Sequence, residues 1–344
     1  DHRDLHLSLR RQRQMCIRDR PLHACEHYYL VTEPISGLSR DLPVLRSYCD
    51  GTYWKEDAGK LLFGFAHLHP KPWAPDGIPK DFEFDSLPND MDHFGPILME
   101  AMDRLPILND LGIKTYFNGP ESFTPDDRYY LGKIPYKDNI FVSTGFNSIG
   151  IQSAGGVGKV MAEWISNDRS KIDLWDVDVS RVLDFQNDTE YLRERSSESL
   201  GLLYAVHWPF YQFETSRNKI QTTLYDQLKR EGACFGEVAG WERANWFAPS
   251  GVEQKDDWSF RRSNWFTHVG NECENVQNNV GILDMTAFAK CRISGPGAKD
   301  FLDYLVANKL PQKNGRVNLC HALNTRGGVH SEFTIAKESD ESYY

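Results

Sequence analysis

The chain has 344 residues, 40% hydrophobic and 12% aromatic, with a net charge of −10 from 39 basic and 49 acidic side chains. That balance is globular rather than disordered, and the length allows two or more domains. An acidic surface without a basic, aromatic-interleaved stripe argues against nucleic acid, and no apolar run is long enough for a bilayer span, so no membrane partner is expected.

Residues 1–20 are rich in arginine and unlike the rest of the chain. A mitochondrial presequence fits them badly, since Asp1, Asp4 and Asp19 are acidic, and we expect a leader foreign to the fold. Strand-like runs come next at Tyr28–Thr32, Leu42–Tyr48, Thr52–Lys55 and Leu61–Ala66, separated by turn residues, before a proline-rich loop from Pro70 to Pro79. Phe94, Ile97, Leu98, Ala101, Met102 and Leu105 recur with the period of one buried helical face; Pro96 is expected in its first turn and Pro106 at its end. A strand near Lys114–Phe117 precedes an irregular stretch, 119–132.

The short strand Ile140–Thr144 runs into GFNSIGIQSAGGVG (145–158) and a helix with Val157, Val160, Met161, Trp164 and Ile165 on one face. The polar stretch Ser166–Arg181 marks a boundary, and 182–224 is mixed, with an aromatic cluster at 207–213. From Asp226 come a helix candidate, tryptophan-rich loops, a strand at Lys290–Ser294 and an amphipathic helix through Ala298, Phe301, Leu302, Leu305 and Val306. The chain stops at Tyr344 without a visible closing element, so both ends are expected to be cut. Seven scattered cysteines without a CxxC pair fit thiols in a reducing compartment better than a disulfide framework or a metal site.

Residues 140–165 carry the first chemical signal. A strand, a glycine-bearing turn and a helix place backbone N–H groups at a helix start, which attracts negative charge. There is no GxGxxG and no P-loop Lys-Ser/Thr pair, so a phosphate fingerprint is not supported; a reduced flavin ring would suit the same donors. Close helix–strand packing explains the glycines equally well, and spacing alone does not decide.

GPESFTPD (119–126), GFNSIGI (145–151) and AGGVGKVMAEWI (154–165) resemble the closing segment of the D-amino-acid-oxidase-type flavin fold, as found in dimethylglycine and sarcosine dehydrogenases and the regulatory subunit of pyruvate dehydrogenase phosphatase. HYYLVTEPI (27–35) and GTYWKEDAGKLLFGF (51–65) resemble their substrate-side strands. GWERANWFAP (240–249), SFRRSNWF (259–266), VGILDMTAFAK (280–290) and LNTRGGVHSEFT (323–334) resemble their folate domain, which is related to the aminomethyltransferase of glycine cleavage. The resemblance implies a mixed α/β region over 21–165, the C-terminal part of an FAD fold. It also implies a connector region at 166–224 and a truncated α+β folate-binding domain at 225–344.

The same resemblance assigns roles residue by residue. His27 and Tyr53 fall beside the flavin near the amine substrate, where a neutral imidazole and a phenol can accept protons or orient a nitrogen lone pair. A backbone-bonded strand histidine and a core tyrosine are the alternatives. Gly145, Phe146, Asn147, Ser148, Gly150 and Ile151 match the turn against the flavin ring, with Pro125 and Asp126 leading back to it; Asp126 also suits a plain turn. Glu332 takes the place of the acid that accepts a pterin's N–H donors in tetrahydrofolate, with an exposed strand glutamate as the alternative. Trp241, Trp246 and Trp265 are expected to brace the core.

The resemblance implies one of two functions. The first is a flavin-dependent dehydrogenase that oxidises a small N-methyl amino acid to an iminium and passes the one-carbon unit to tetrahydrofolate, with a flavoprotein as electron acceptor. The second is a non-catalytic regulator bound to the phosphatase catalytic subunit. The GxGxxG element and the histidine that bonds covalently to flavin would lie upstream, so this chain alone is not expected to retain FAD. The implied compartment is the mitochondrial matrix, or the cytoplasm of a bacterium.

Overall fold

A computed structural model describes residues 21–65, 70–83, 85–135, 137 and 139–344. The leader reading for 1–20, with Cys16, lies outside the described residues. The chain divides into two compact units, one ending at Gly281 and the other spanning Ile282–Tyr344.

In the first unit, alternation of side chains along β1 (His23–Thr32) sets the design. Tyr28 and Leu30 point to one face of the sheet, where they join Trp54, Phe63 and Phe65 in a buried core, while Cys25 and His27 point to the other. The sheet is antiparallel, with β2 (Leu45–Ser47), β3 (Thr52–Asp57), β4 (Lys60–Phe65) and β5 (Ile113–Phe123) in the order β2-β3-β4-β1-β5. Phe94, Ile97 and Ala101 of helix α1 (Met91–Arg104) cover the Tyr28 face. Asp90 caps this helix by accepting from the His93 N–H at 3.0 Å, so the helix starts earlier than its apolar stripe. Pro96 therefore sits in the second turn rather than the first, where its missing N–H forfeits one intrahelical bond. Residues 119–123, expected to be irregular, are strand, because β1 pairs with β5 from His23↔Phe123 down to Thr32↔Ile113.

Helix α2 (Gly150–Asn167) buries Val157 and Met161 against the hairpin of β6 (Tyr130–Lys133) and β7 (Phe141–Thr144), with Trp164 alongside; Ile165 of the same stripe is exposed. The other face of the five-stranded sheet meets helix α3 (Thr189–Tyr204): Leu200 and Tyr204 pack with Cys25 and Phe123. No apolar periodicity announces α3, since it buries Arg195, Ser196 and Ser199. Arg195 is only 2% exposed and donates to Glu237 at 2.8 Å and to the Thr215 carbonyl at 2.6 Å, which compensates its burial. The short helix α4 (Tyr225–Arg230) leads into a hairpin of β8 (Ala233–Val238) and β9 (Trp241–Phe247), a region expected to be loops. Trp246 is buried there with its indole N–H on Asp256 at 2.7 Å, and Trp265 packs beside it ahead of helix α5 (Phe266–Asn278); Trp241 is half-buried on β9.

The second unit is a four-stranded sheet ordered β10-β13-β12-β11, from β10 (Ile293–Ser294), β11 (Val317–Leu323), β12 (Val329–Ser339) and β13 (Ser342–Tyr343). Helix α6 (Ala298–Leu305) closes it through Ala298 and Leu302, which pack with Val306, Cys320, Ile335 and Tyr343. The strand expected over 290–294 is only Ile293–Ser294, with Lys290 folded back onto backbone carbonyls. No helix among the described residues is long and apolar enough to cross a membrane.

Candidate active site

The face of the five-stranded sheet opposite α1 gathers the polar groups. His27 on β1 and Glu121 on β5 are joined through imidazole Nδ1 and carboxylate Oε2 at 2.7 Å. The pairing register explains this: Glu121 lies opposite Cys25, two residues from His27 on the same face. Ser148 Oγ donates to the same carboxylate oxygen at 2.5 Å. On the other side of the ring, His27 Nε2 lies 3.5 Å from the Tyr204 hydroxyl, which also contacts Ser148. Tyr53 completes the cluster from β3, with ring centroids 6.4 Å from His27 and 5.8 Å from Tyr204.

Glycine makes room for it. A Cβ on Gly64 would fall 2.1 Å from the Tyr53 ring, so the phenol lies flat across β4 only because residue 64 has no side chain. Burial pushes the Tyr53 hydroxyl well above the usual tyrosine range, with Tyr204 and Glu121 adding to it, and burial likewise raises Tyr204. Both phenols therefore stay protonated at neutral pH. Burial alone would raise Glu121, but the bonds from His27 and Ser148 outweigh it and hold the carboxyl below its ordinary value. A guanidinium flanks the cluster: Arg46 Cζ lies 4.9 Å from the Tyr204 ring centroid and 4.6 Å from that of Tyr48.

The structure thus brings His27, Tyr53 and Ser148 together and adds Glu121, Tyr204 and Arg46, none of which sequence reasoning singled out. Glu121 lay in a quoted motif, and pairing it with His27 required the β1–β5 register. Ser148 arrives through the turn before α2. Gly145, Asn147 and Ser148 all have positive φ, at 71°, 47° and 64°. Asn147 is 3% exposed and braces that conformation: its Oδ1 accepts from Thr124 N–H and its Nδ2 donates to Thr124 Oγ1, both at 2.9 Å. A Cβ at Gly145 would meet Thr124 and Leu22 within 2.8 Å, so close packing accounts for this glycine. Phe146 packs on Tyr129 at 5.1 Å. Pro125 is buried, and the Asp126 carboxylate is gripped by Arg181 through two bonds at 2.9 and 3.0 Å. Gly150 opens α2, and Ile151 is 99% exposed.

Helix α2 has no side-chain N-cap and no acidic residue in its first turn, and a Cβ at Gly155, Gly156 or Gly158 would meet nothing within 4 Å. Packing inside the described chain does not explain those three glycines. An uncapped helix start favours negative charge, and a reduced flavin ring carries it.

In the second unit Glu332 stands on β12 directly opposite His321 on β11. The two meet at 3.0 Å through His321 Nε2 and Glu332 Oε2, while Asn308 Oδ1 holds the His321 backbone N–H at 2.8 Å. The carboxylate is exposed and accepts an N–H donor, which fits the pterin edge of a folate. Among the described residues no group of three or more His, Cys, Asp or Glu side chains is arranged to hold a metal ion.

Family models match the chain in three successive stretches. The FAD dependent oxidoreductase model matches residues 6–164, the FAD dependent oxidoreductase central domain 167–220, and the GCVT N-terminal domain 224–344. The chain belongs to the family in which these domains follow one another, which includes dimethylglycine and sarcosine dehydrogenases and the regulatory subunit of pyruvate dehydrogenase phosphatase. Among its relatives, 4-methylaminobutanoate oxidase (formaldehyde-forming) of Paenarthrobacter nicotinovorans is 37% identical over 92% of this chain. The mitochondrial pyruvate dehydrogenase phosphatase regulatory subunit of Mus musculus is 33% identical over 94%, and the dimethylglycine dehydrogenase of the same species is 34% identical over 93%. The chain spans 38% of the length of each of these relatives.

Proposed function

We propose that this chain supplies the substrate-facing side of a flavin site that oxidises a small N-methyl amino acid to an iminium. The observation that carries the reading is the cluster of His27, Glu121, Ser148, Tyr204 and Tyr53 on one sheet face, next to the turn that opens α2. When bound, FAD supplies the two-electron acceptor for the substrate's carbon–hydrogen bond. Gly145, Phe146, Asn147, Ser148, Gly150 and Ile151 would hold it, with Pro125 and Asp126 shaping the approach.

The protein's own task is to deliver the amine as a free base, because an ammonium has no lone pair to stabilise the developing iminium. His27 Nε2 takes that proton, and the Tyr53 and Tyr204 rings beside it hold the amine in place with its lone pair free. Arg46 faces the substrate carboxylate, so replacing it with Gln is expected to raise KM more than it lowers kcat. In the second unit Glu332 would hold tetrahydrofolate, which receives the one-carbon unit. The electron acceptor is a separate flavoprotein. The compartment is the mitochondrial matrix in a eukaryotic cell and the cytoplasm in a bacterial one.

The experiment is anaerobic mixing of the flavin-containing full-length protein with dimethylglycine, sarcosine and 4-methylaminobutanoate, following loss of the oxidised flavin band. Bleaching by one of them supports the enzyme. Absence of bleaching by all three favours the regulatory reading, for which the 33% identical mouse regulatory subunit is the supporting observation.

A further inference from the structure

We propose that Glu121 is the positioning residue of this site: it fixes the neutral His27 ring with the proton on Nδ1, leaving Nε2 as the proton acceptor beside Tyr204. The inference rests on the proposed amine oxidation and names how the site's base is prepared.

Valence locates the proton. An ionised carboxylate only accepts hydrogen bonds, so a ring nitrogen 2.7 Å from Glu121 Oε2 must carry the proton. A neutral imidazole has one N–H, and the remaining nitrogen then holds a lone pair. That nitrogen is Nε2, which lies 3.5 Å from the Tyr204 hydroxyl. Two donors, His27 and Ser148, converge on Glu121 and keep its carboxyl ionised although it is half-buried.

The same carboxylate ties the base to the turn. Ser148 stands at φ 64° at the end of the positive-φ segment braced by Asn147, and its hydroxyl donates to the oxygen that holds His27. Glu121 therefore couples the segment assigned to the flavin with the strand assigned to the substrate. A serine and an imidazole meet on one carboxylate, with a phenol at the far ring nitrogen, which restricts the orientation of the ring. When Nε2 takes a proton from the substrate ammonium, the ring becomes an imidazolium whose charge the adjacent carboxylate offsets.

The test uses nitrogen-15 NMR of the chain labelled at histidine, with His27 identified by the signals lost in His27→Gln. The expected result for the wild type in the neutral ring is a protonated Nδ1 and a bare Nε2. In Glu121→Gln, which keeps the side chain's size, the Nε2–H form becomes populated, because an amide offers the ring either a donor or an acceptor. Glu121→Asp, if it still reaches the ring, restores the Nδ1–H form. In flavin-containing protein, Glu121→Gln lowers kcat about 10–100-fold with little change in KM. A wild-type ring protonated on Nε2, or a Glu121→Gln ring still wholly Nδ1–H, overturns the proposal. A correct tautomer in a protein that no amine bleaches would sink the functional reading and leave the positioning role standing.

Discussion

Among the described residues two histidine–carboxylate pairs bridge antiparallel strands, and their surroundings differ. His27 and Glu121 meet at 2.7 Å on a covered sheet face, with Ser148 on the same carboxylate and Tyr204 on the far ring nitrogen. His321 and Glu332 meet at 3.0 Å on the second unit's surface, where the glutamate side chain is 59% exposed. The first pair is embedded in a network that restricts the orientation of each partner. The second is a contact that water can replace. The residue types are the same, and both rings have a partner on each nitrogen, so the difference lies in burial and in the second donor on Glu121.

That contrast can be broken from the strong side first. Glu121→Gln removes the charge that His27 and Ser148 converge on, and urea unfolding is expected to show a loss of about 1–3 kcal/mol at neutral pH. The loss should depend on pH in a fixed direction. Glu121 is held below its ordinary value of 4.5, so its contribution is present above that pH and disappears as the pH falls through the lower folded value. The gap between wild type and Glu121→Gln therefore narrows as the pH falls below 4.5 through the lower folded value, and a gap that persists after the wild-type carboxyl is protonated would contradict the assignment. Ser148→Ala deletes one of the two donors to Glu121 and should cost about 1 kcal/mol in the same measurement. His321→Ala is the weak side: about 0–1 kcal/mol, reduced further by added salt. A His321→Ala loss equal to that of Glu121→Gln would remove the distinction between the two pairs.

The two regions also differ in how much of them could be read from residues alone. Strand-like runs between turn residues placed the first strands, and the apolar spacing of 94–105 placed α1, because both elements bury a regular face. Helix α3 escaped, since its buried side includes Arg195, Ser196 and Ser199, whose hydrogen bonds rather than hydrophobicity hold it in place. Tyr204 was lost with it. His27 and Tyr53 were named through family resemblance, yet Glu121 sits 94 residues from His27, and only the β1–β5 register joins them. The same holds for His321 and Glu332, whose pairing depends on the turn between β11 and β12. The hairpin at 233–247 was missed because its tryptophans and charged residues carry no strict alternation, although Trp246 anchors it.

His27 as the base for amine oxidation is the central claim, and anaerobic flavin bleaching in full-length wild-type and His27→Ala proteins tests it most directly. The prediction is that dimethylglycine, sarcosine or 4-methylaminobutanoate bleaches the wild-type flavin, and that His27→Ala slows bleaching by about 10²–10⁴-fold at neutral pH. Bleaching of His27→Ala at the wild-type rate would contradict it.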